Sequence, residues 1–170
     1  PEIVARVRAE VDQITEGNPI GFEHIRKLNF SRAIFKEALR LYPPITFIPR
    51  VAAEAIKIGK RKVKKGAMIM IAPWVIHRHH DYWRDPDCFD PDRFMPERDN
   101  EIIDDAYLPF GLGPRICVGA NFATIEATLI LARFIKSYEF KILEPDKVQP
   151  VARLTTRPAK EILIKPRHRN

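Results

Sequence analysis

Apolar residues recur at three- and four-residue intervals in three stretches of the chain, and each stretch predicts an amphipathic helix. The first runs from Pro1 to about Ile14, with Ile3, Val7, Val11 and Ile14 on one stripe between charged flanks. Gly17-Asn18-Pro19 breaks it. The second spans Leu28 to Tyr42, placing Phe30, Ile34, Ala38 and Leu41 on one face with Phe35, Leu39 and Tyr42 beside them, and Pro43 cannot continue it. The third, from about Ala120 to Lys136, lines up Phe122, Ile125, Leu129, Ala132 and Ile135.

Between the helices the pattern changes. Ile45 to Ala52 reads as extended, and Ala55–Ile58, Gly59-Lys60 and Arg61–Gly66 read as a hairpin. The apolar run Ala67 to Ala72 predicts a buried strand. Phe140–Leu143 and Glu161–Ile164 close the chain as short strands. From His77 to Asp105 the chain is rich in Pro, Asp and Arg, and so long an irregular segment is uncommon in a compact domain unless it is functional. No repeat, low-complexity tract or domain boundary is visible.

Composition narrows the picture. The 170 residues suffice for one domain with a sizeable core, and the 15 prolines fit long irregular connections. The net charge of +7 implies an acidic partner or surface. The basic run Lys60–Lys65 carries no aromatics or binding motif, so it reads as a solvated hairpin and no nucleic-acid partner is expected. No apolar run is long enough to span a bilayer, and the N-terminus shows no secretory signal. The chain opens at Pro1-Glu2-Ile3-Val4, inside a helical pattern and without an initiator methionine.

Two cysteines, Cys88 and Cys117, give no disulfide framework. Cys88 lies in the irregular Arg84-Asp85-Pro86-Asp87-Cys88 and reads as a free thiol. Cys117 is different. It stands in Phe110-Gly111-Leu112-Gly113-Pro114-Arg115-Ile116-Cys117-Val118-Gly119, immediately before the third helix. Glycines allow dihedrals and close approaches that a side chain blocks, and a helix N-terminus beside a cysteine favours thiolate over thiol. Thiolate is the form that ligates a metal, and Arg115, two residues earlier, is placed to meet an anion beside it.

The spacing Phe-x-x-Gly-x-Arg-x-Cys-x-Gly resembles the haem-binding signature of the cytochrome P450 family at every fixed position. Two further segments agree in the family's order. Glu37-Ala38-Leu39-Arg40 places Glu37 and Arg40 on one helix face, and Pro91-Asp92-Arg93-Phe94 resembles the segment supplying a third partner, with aspartate where the family usually has glutamate. Alone, Glu37 and Arg40 fit an ordinary solvated pair. The resemblance makes Glu37, Arg40 and Arg93 a buried structural network on the haem side. It covers about Pro1 to Pro166 and implies an α+β, mainly α fold: the C-terminal part of the family's catalytic domain, with helices, small β-sheets, a meander and a cysteine-ligand loop.

The same resemblance implies haem b as cofactor and Cys117 as axial ligand of its iron. A Cys88–Cys117 disulfide would consume that ligand. Phe110, Gly113 and Gly119 are implied to be cofactor-binding, with Phe110 packed beside the thiolate to shield it. Arg115 and Arg50 are the candidate partners of the haem carboxylates, since guanidinium matches carboxylate with a planar fork of donors, and His77 is a further candidate there. His77-Arg78-His79-His80 has no matching partner set elsewhere, so metal ligation by these histidines is the weaker reading. Ile45, Thr46 and Phe47, with Arg153, Leu154 and Thr155, fall where the family lines its substrate pocket. Core packing is the other reading of each.

The implied function is a monooxygenase that inserts one oxygen atom from O2 into an apolar organic substrate, with electrons from an acidic ferredoxin or a flavin domain. Two alternatives stay open: peroxide use, isomerisation or dehydration on the same centre, and a haem-free fragment or interaction module without catalysis. The family's oxygen-side helix has no counterpart in this sequence, so the missing N-terminal part of the enzyme is itself an expected partner. The location is open too: cytoplasmic if soluble, membrane-anchored only through that part.

Overall fold

Three helices form the frame. In a computed structural model, which describes residues 1–152 and 155–169 and leaves aside the side chain of residue 99, α1 spans Glu2–Thr15, α2 Asn29–Leu41, α3 Pro73–Ile76 and α4 Ala120–Ser137. α1, α2 and α4 follow the periodic stretches to within a residue or two. Val7 and Val11 of α1, Phe30 of α2 with Leu28 before it, and Ala132 and Ile135 of α4 make one buried cluster. Burying each of these larger side chains contributes about 1.5–3 kcal/mol.

Helix ends are tied by side chains. Glu10 of α1 accepts from the free N–H groups of Phe30 (2.6 Å) and Ser31 (2.9 Å) at the start of α2, so a carboxylate of one helix caps the next. Arg6 forks onto Asp92 at 2.9 and 2.5 Å while lying over the Phe30 ring at 3.8 Å. That hydrogen bond raises the Arg6 pKa and lowers that of Asp92.

Among the described residues, four two-stranded antiparallel ribbons hang on this frame. β1 (Ile48–Val51) pairs with β4 (Met68–Ile71), Arg50 opposite Ile69. β2 (Ile56–Ile58) and β3 (Arg61–Val63) form the expected hairpin, turned at Gly59 with φ +55°. β5 (Tyr138–Ile142) pairs with β8 (Ile164–His168), and β6 (Pro150–Ala152) with β7 (Thr156–Pro158).

Several expectations are corrected. The run Ala67–Ala72 does form a strand, yet it is not buried: Met68 and Met70 are exposed and only the alternate residues are half-buried, because a two-stranded ribbon here has one covered face. The last strand falls at Ile164–His168 instead of 161–164, and β6 and β7 were not expected. On α4 the stripe is buried only in its C-terminal half. α1 and α2 pack there, and Phe122 lies beyond their reach with 69% of its surface exposed.

The segment from 77 to 105 has no strand. It is a chain of short 3-10 turns, Pro91–Phe94, Pro96–Glu101 and Asp104–Ala106 among them, wrapped around a second cluster of Ala33, Trp83, Phe94 and Ala106. Among the described residues no helix is long and apolar enough to cross a membrane.

Candidate functional site

Arg40 organises the site from the last turn of α2. Both it and Glu37 are fully buried. A guanidinium has five N–H donors, and each finds an acceptor. Nε and Nη2 donate to the Glu37 carboxylate at 2.7 and 2.8 Å. Nη1 donates to the carbonyls of His77 (2.8 Å) and Pro86 (2.6 Å), and Nη2 also to that of Cys88 (3.0 Å). A segment without its own ladder thus places three backbone carbonyls on one side chain. Glu37 also accepts from the Asp90 N–H at 2.8 Å.

Arg93 completes the cluster from the Pro91–Phe94 turn. Its Nε stands 3.6 Å from Glu37 Oε1, an ion pair looser than that of Arg40, and its Nη2 donates to the Asp85 carbonyl at 2.9 Å. Glu37, Arg40 and Arg93 therefore meet as one buried cluster in which Arg40 is the tightly held member.

The C-terminal carbonyls of α2 need donors from elsewhere. Arg78 supplies one to Leu41, a cation at the negative end of the helix. His77 supplies another: its Nδ1 lies 3.1 Å from the Arg40 carbonyl, and its Nε2 accepts the Leu108 N–H at 2.8 Å. An Nε2 that accepts leaves the ring proton on Nδ1, so the imidazole is neutral. Burial holds its pKa down at about 4, against the pull of the Arg40 hydrogen bond. His77 is thus not a haem-carboxylate partner. It is wholly buried, and both ring nitrogens are committed to backbone groups.

The cysteine loop is built on backbone geometry. The Cys117 N–H bonds the Phe110 carbonyl at 2.9 Å and closes the loop. Gly111 and Gly113 take φ of +79° and +71°, where an L side chain is strained. Gly119 sits at φ −86° as the N-cap of α4, so its backbone demands no glycine; a methyl added there would lie 3.9 Å from the Cys117 sulfur. Cys117 and Cys88 are both free and exposed.

Cys117 opens onto a cleft of about 640 Å³. Pro44, Ile45, Ile48, Pro109 and Phe110 form its apolar walls, and Arg50 and Arg115 bring two guanidiniums. Among the described residues neither arginine makes an ion pair, and Arg50 donates only to its neighbour's carbonyl, Pro49, at 2.9 Å. A flat apolar group with two carboxylates and an iron that accepts sulfur matches this donor set, so the residues present fit haem.

The expected substrate wall divides. Ile45 lines the cleft, Thr46 is buried away from it, and Phe47 is half exposed. The segment has no periodicity from which these directions could be read. Thr155 is exposed in the bend between β6 and β7, and Arg153 and Leu154 lie outside the described residues. Sequence reasoning missed Pro44, Ile48 and Pro109 as wall residues. Their only signal is position: beside the end of α2, two residues before Arg50 on the same face of β1, and next to the loop. It also missed Tyr107, whose hydroxyl donates to the Lys36 carbonyl at 2.9 Å and whose pKa burial raises.

Comparison with known proteins places this geometry. The family model described as "Cytochrome P450" matches residues 1–166. Cyclooctatin synthase of Streptomyces melanosporofaciens is 36% identical over 150 residues, 88% of this chain and 33% of that protein. Pentalenene oxygenase of Streptomyces avermitilis is 36% identical over 156 residues, 91% of this chain and 34% of that protein. The crystal structure of the cytochrome P450DA heme domain superposes with a TM-score of 0.92 at 30% identity, covering all of this chain and 38% of that one. The chain spans about a third of the length of the curated relatives it matches.

Proposed function

The chain belongs to the cytochrome P450 family, and from that premise we propose that it forms the thiolate side of a monooxygenase inserting one oxygen atom from O2 into an apolar organic substrate. The observation that supports this best is Cys117 lining an apolar cleft that also holds two guanidiniums, neither of them ion-paired among the described residues. The family binds haem b. When bound, that group supplies the iron at which dioxygen is reduced and cleaved, with thiolate donation favouring the cleavage.

The remaining work belongs to the chain. Cys117 would supply the thiolate, presented by a loop whose left-handed glycines turn the backbone around the sulfur. Arg50 and Arg115 would each take a haem carboxylate and so fix the cofactor's rotation in the cleft. Phe110 and Pro109 make the wall beside the sulfur apolar, and a dry shell around a thiolate tunes the metal's potential. Ile45 and Ile48 extend the apolar wall toward the substrate side.

Members of the family take electrons from redox partners. For this enzyme the net charge of +7 favours an acidic carrier, a ferredoxin or a flavin domain.

The test is ferrous-CO spectroscopy of the complete enzyme. Cys117→Ala should lose the thiolate band, and Cys88→Ala should keep it. A Cys117→Ala enzyme that retains the band refutes the ligand assignment.

A further inference from the structure

The chain leading into the cysteine loop is held at its base by two bonds that reach the same helix. Tyr107 donates its hydroxyl to the Lys36 carbonyl, and the next residue, Leu108, donates its N–H to His77 Nε2. Lys36 and the Arg40 carbonyl that His77 caps lie one turn apart on α2. From Leu108 the path to the sulfur is short. Its carbonyl accepts the Gly111 N–H at 3.2 Å, and the Phe110 carbonyl accepts the Cys117 N–H at 2.9 Å. Pro109, between them, has no N–H to give. Leu108 is therefore where the loop base takes its position from the frame.

Resting on the reading of Cys117 as metal ligand, we propose that His77 is a positioning residue: its imidazole couples the end of α2 to Leu108 and so sets where the loop presents the sulfur. The imidazole suits the task because it offers a donor and an acceptor on opposite sides of a rigid ring. One nitrogen is fixed by a helix carbonyl that would otherwise lack a partner, and the other is aimed by that bond at the loop. The ring also lies against Tyr107, with centroids 5.6 Å apart, so both pins are packed together. The cluster around Arg40 closes the arrangement from behind, since the His77 carbonyl accepts from that guanidinium. The geometry of α2 thereby reaches the sulfur through hydrogen bonds and not only through packing.

Two amide variants separate this role from plain helix capping. Glutamine reaches the Nε2 point and can accept from Leu108. Asparagine reaches only the Nδ1 point, keeps the Arg40 carbonyl capped, and leaves Leu108 without an acceptor. In the complete, haem-loaded enzyme, His77→Asn should exchange the Leu108 amide hydrogen about tenfold faster, as expected for one lost hydrogen bond. It should also convert part of the ferrous-CO thiolate band to the thiol form. His77→Gln should restore both.

The proposal is overturned if His77→Asn keeps the full thiolate band, whatever the Leu108 amide does. It is equally overturned if Gln rescues no better than Asn, including the case in which both variants fail to fold. A Cys117→Ala control separates the two readings. If that variant kept the band, the ligand assignment would fail, while the amide exchange would still report the His77–Leu108 bond by itself.

Discussion

Replacing Glu37 by glutamine keeps the side chain's shape and removes its charge, which makes it the sharpest probe of the buried cluster. The carboxylate accepts from Arg40 Nε, Arg40 Nη2 and the Asp90 N–H, all within 2.8 Å, and stands 3.6 Å from Arg93. A carboxamide has one oxygen for these donors, and its NH2 must face one of them. The Arg40 guanidinium, fully buried, would then keep its carbonyl partners and lose its counter-charge. Stranding a buried charge in this way costs about 3–5 kcal/mol, a large share of the net stability of a folded protein. Arg93→Gln should cost less, about 1–3 kcal/mol, because Arg93 makes one hydrogen bond and two looser ion pairs, to Glu37 at 3.6 Å and Asp90 at 3.9 Å. Urea unfolding at neutral pH, followed by far-ultraviolet circular dichroism with the denaturant slope checked, measures both. A Glu37→Gln protein within about 1 kcal/mol of the parent, or no more destabilised than Arg93→Gln, would refute the account.

Two further outcomes follow from single residues. Burial against Arg40 and Arg78 pushes the His77 pKa from 6.5 to about 4, so on acidification the unfolded chain takes up this proton first. The His77 contribution is complete above pH 6.5 and is lost as pH falls toward about 4, by ~3 kcal/mol. Urea midpoints across that window should fall more steeply for the parent than for His77→Gln, and parallel curves would contradict the assignment. Gly113→Ala should cost about 1–2 kcal/mol from backbone strain alone, since the added methyl meets nothing within 4 Å and φ is +71°; Gly119→Ala, at φ −86°, should cost clearly less by the same measurement.

The helices were legible because their apolar faces repeat with the helical period, and the first two also end at Gly-Asn-Pro or Pro-Pro. Prolines hid the C-terminal strands, although β1 was still read as extended despite Pro49. β6 and β7 contain Pro150 and Pro158, and β8 contains Pro166 opposite Phe140. Proline is tolerated there because each two-stranded ribbon has an edge where the missing N–H is not needed. At the site, Cys117 and Arg115 stood out because side chains carry the motif. His77 could not be read this way, because both of its partners are backbone groups that leave no trace in residue identity. Thr46 was misplaced for a related reason, as an irregular segment gives no rule for which way successive side chains turn.

The convergence of three carbonyls on Arg40 also bears on how the chain folds. His77, Pro86 and Cys88 lie 37, 46 and 48 residues from Arg40. Closing the first of these loops costs about 3 kcal/mol of chain entropy, and once it is closed the others lie only short loops away. The segment therefore has little to gain from a partly docked arrangement. Its ordering is expected late in folding, after α2 exists, and in a single cooperative step, so that mutations around Arg40 should accelerate unfolding far more than they slow folding.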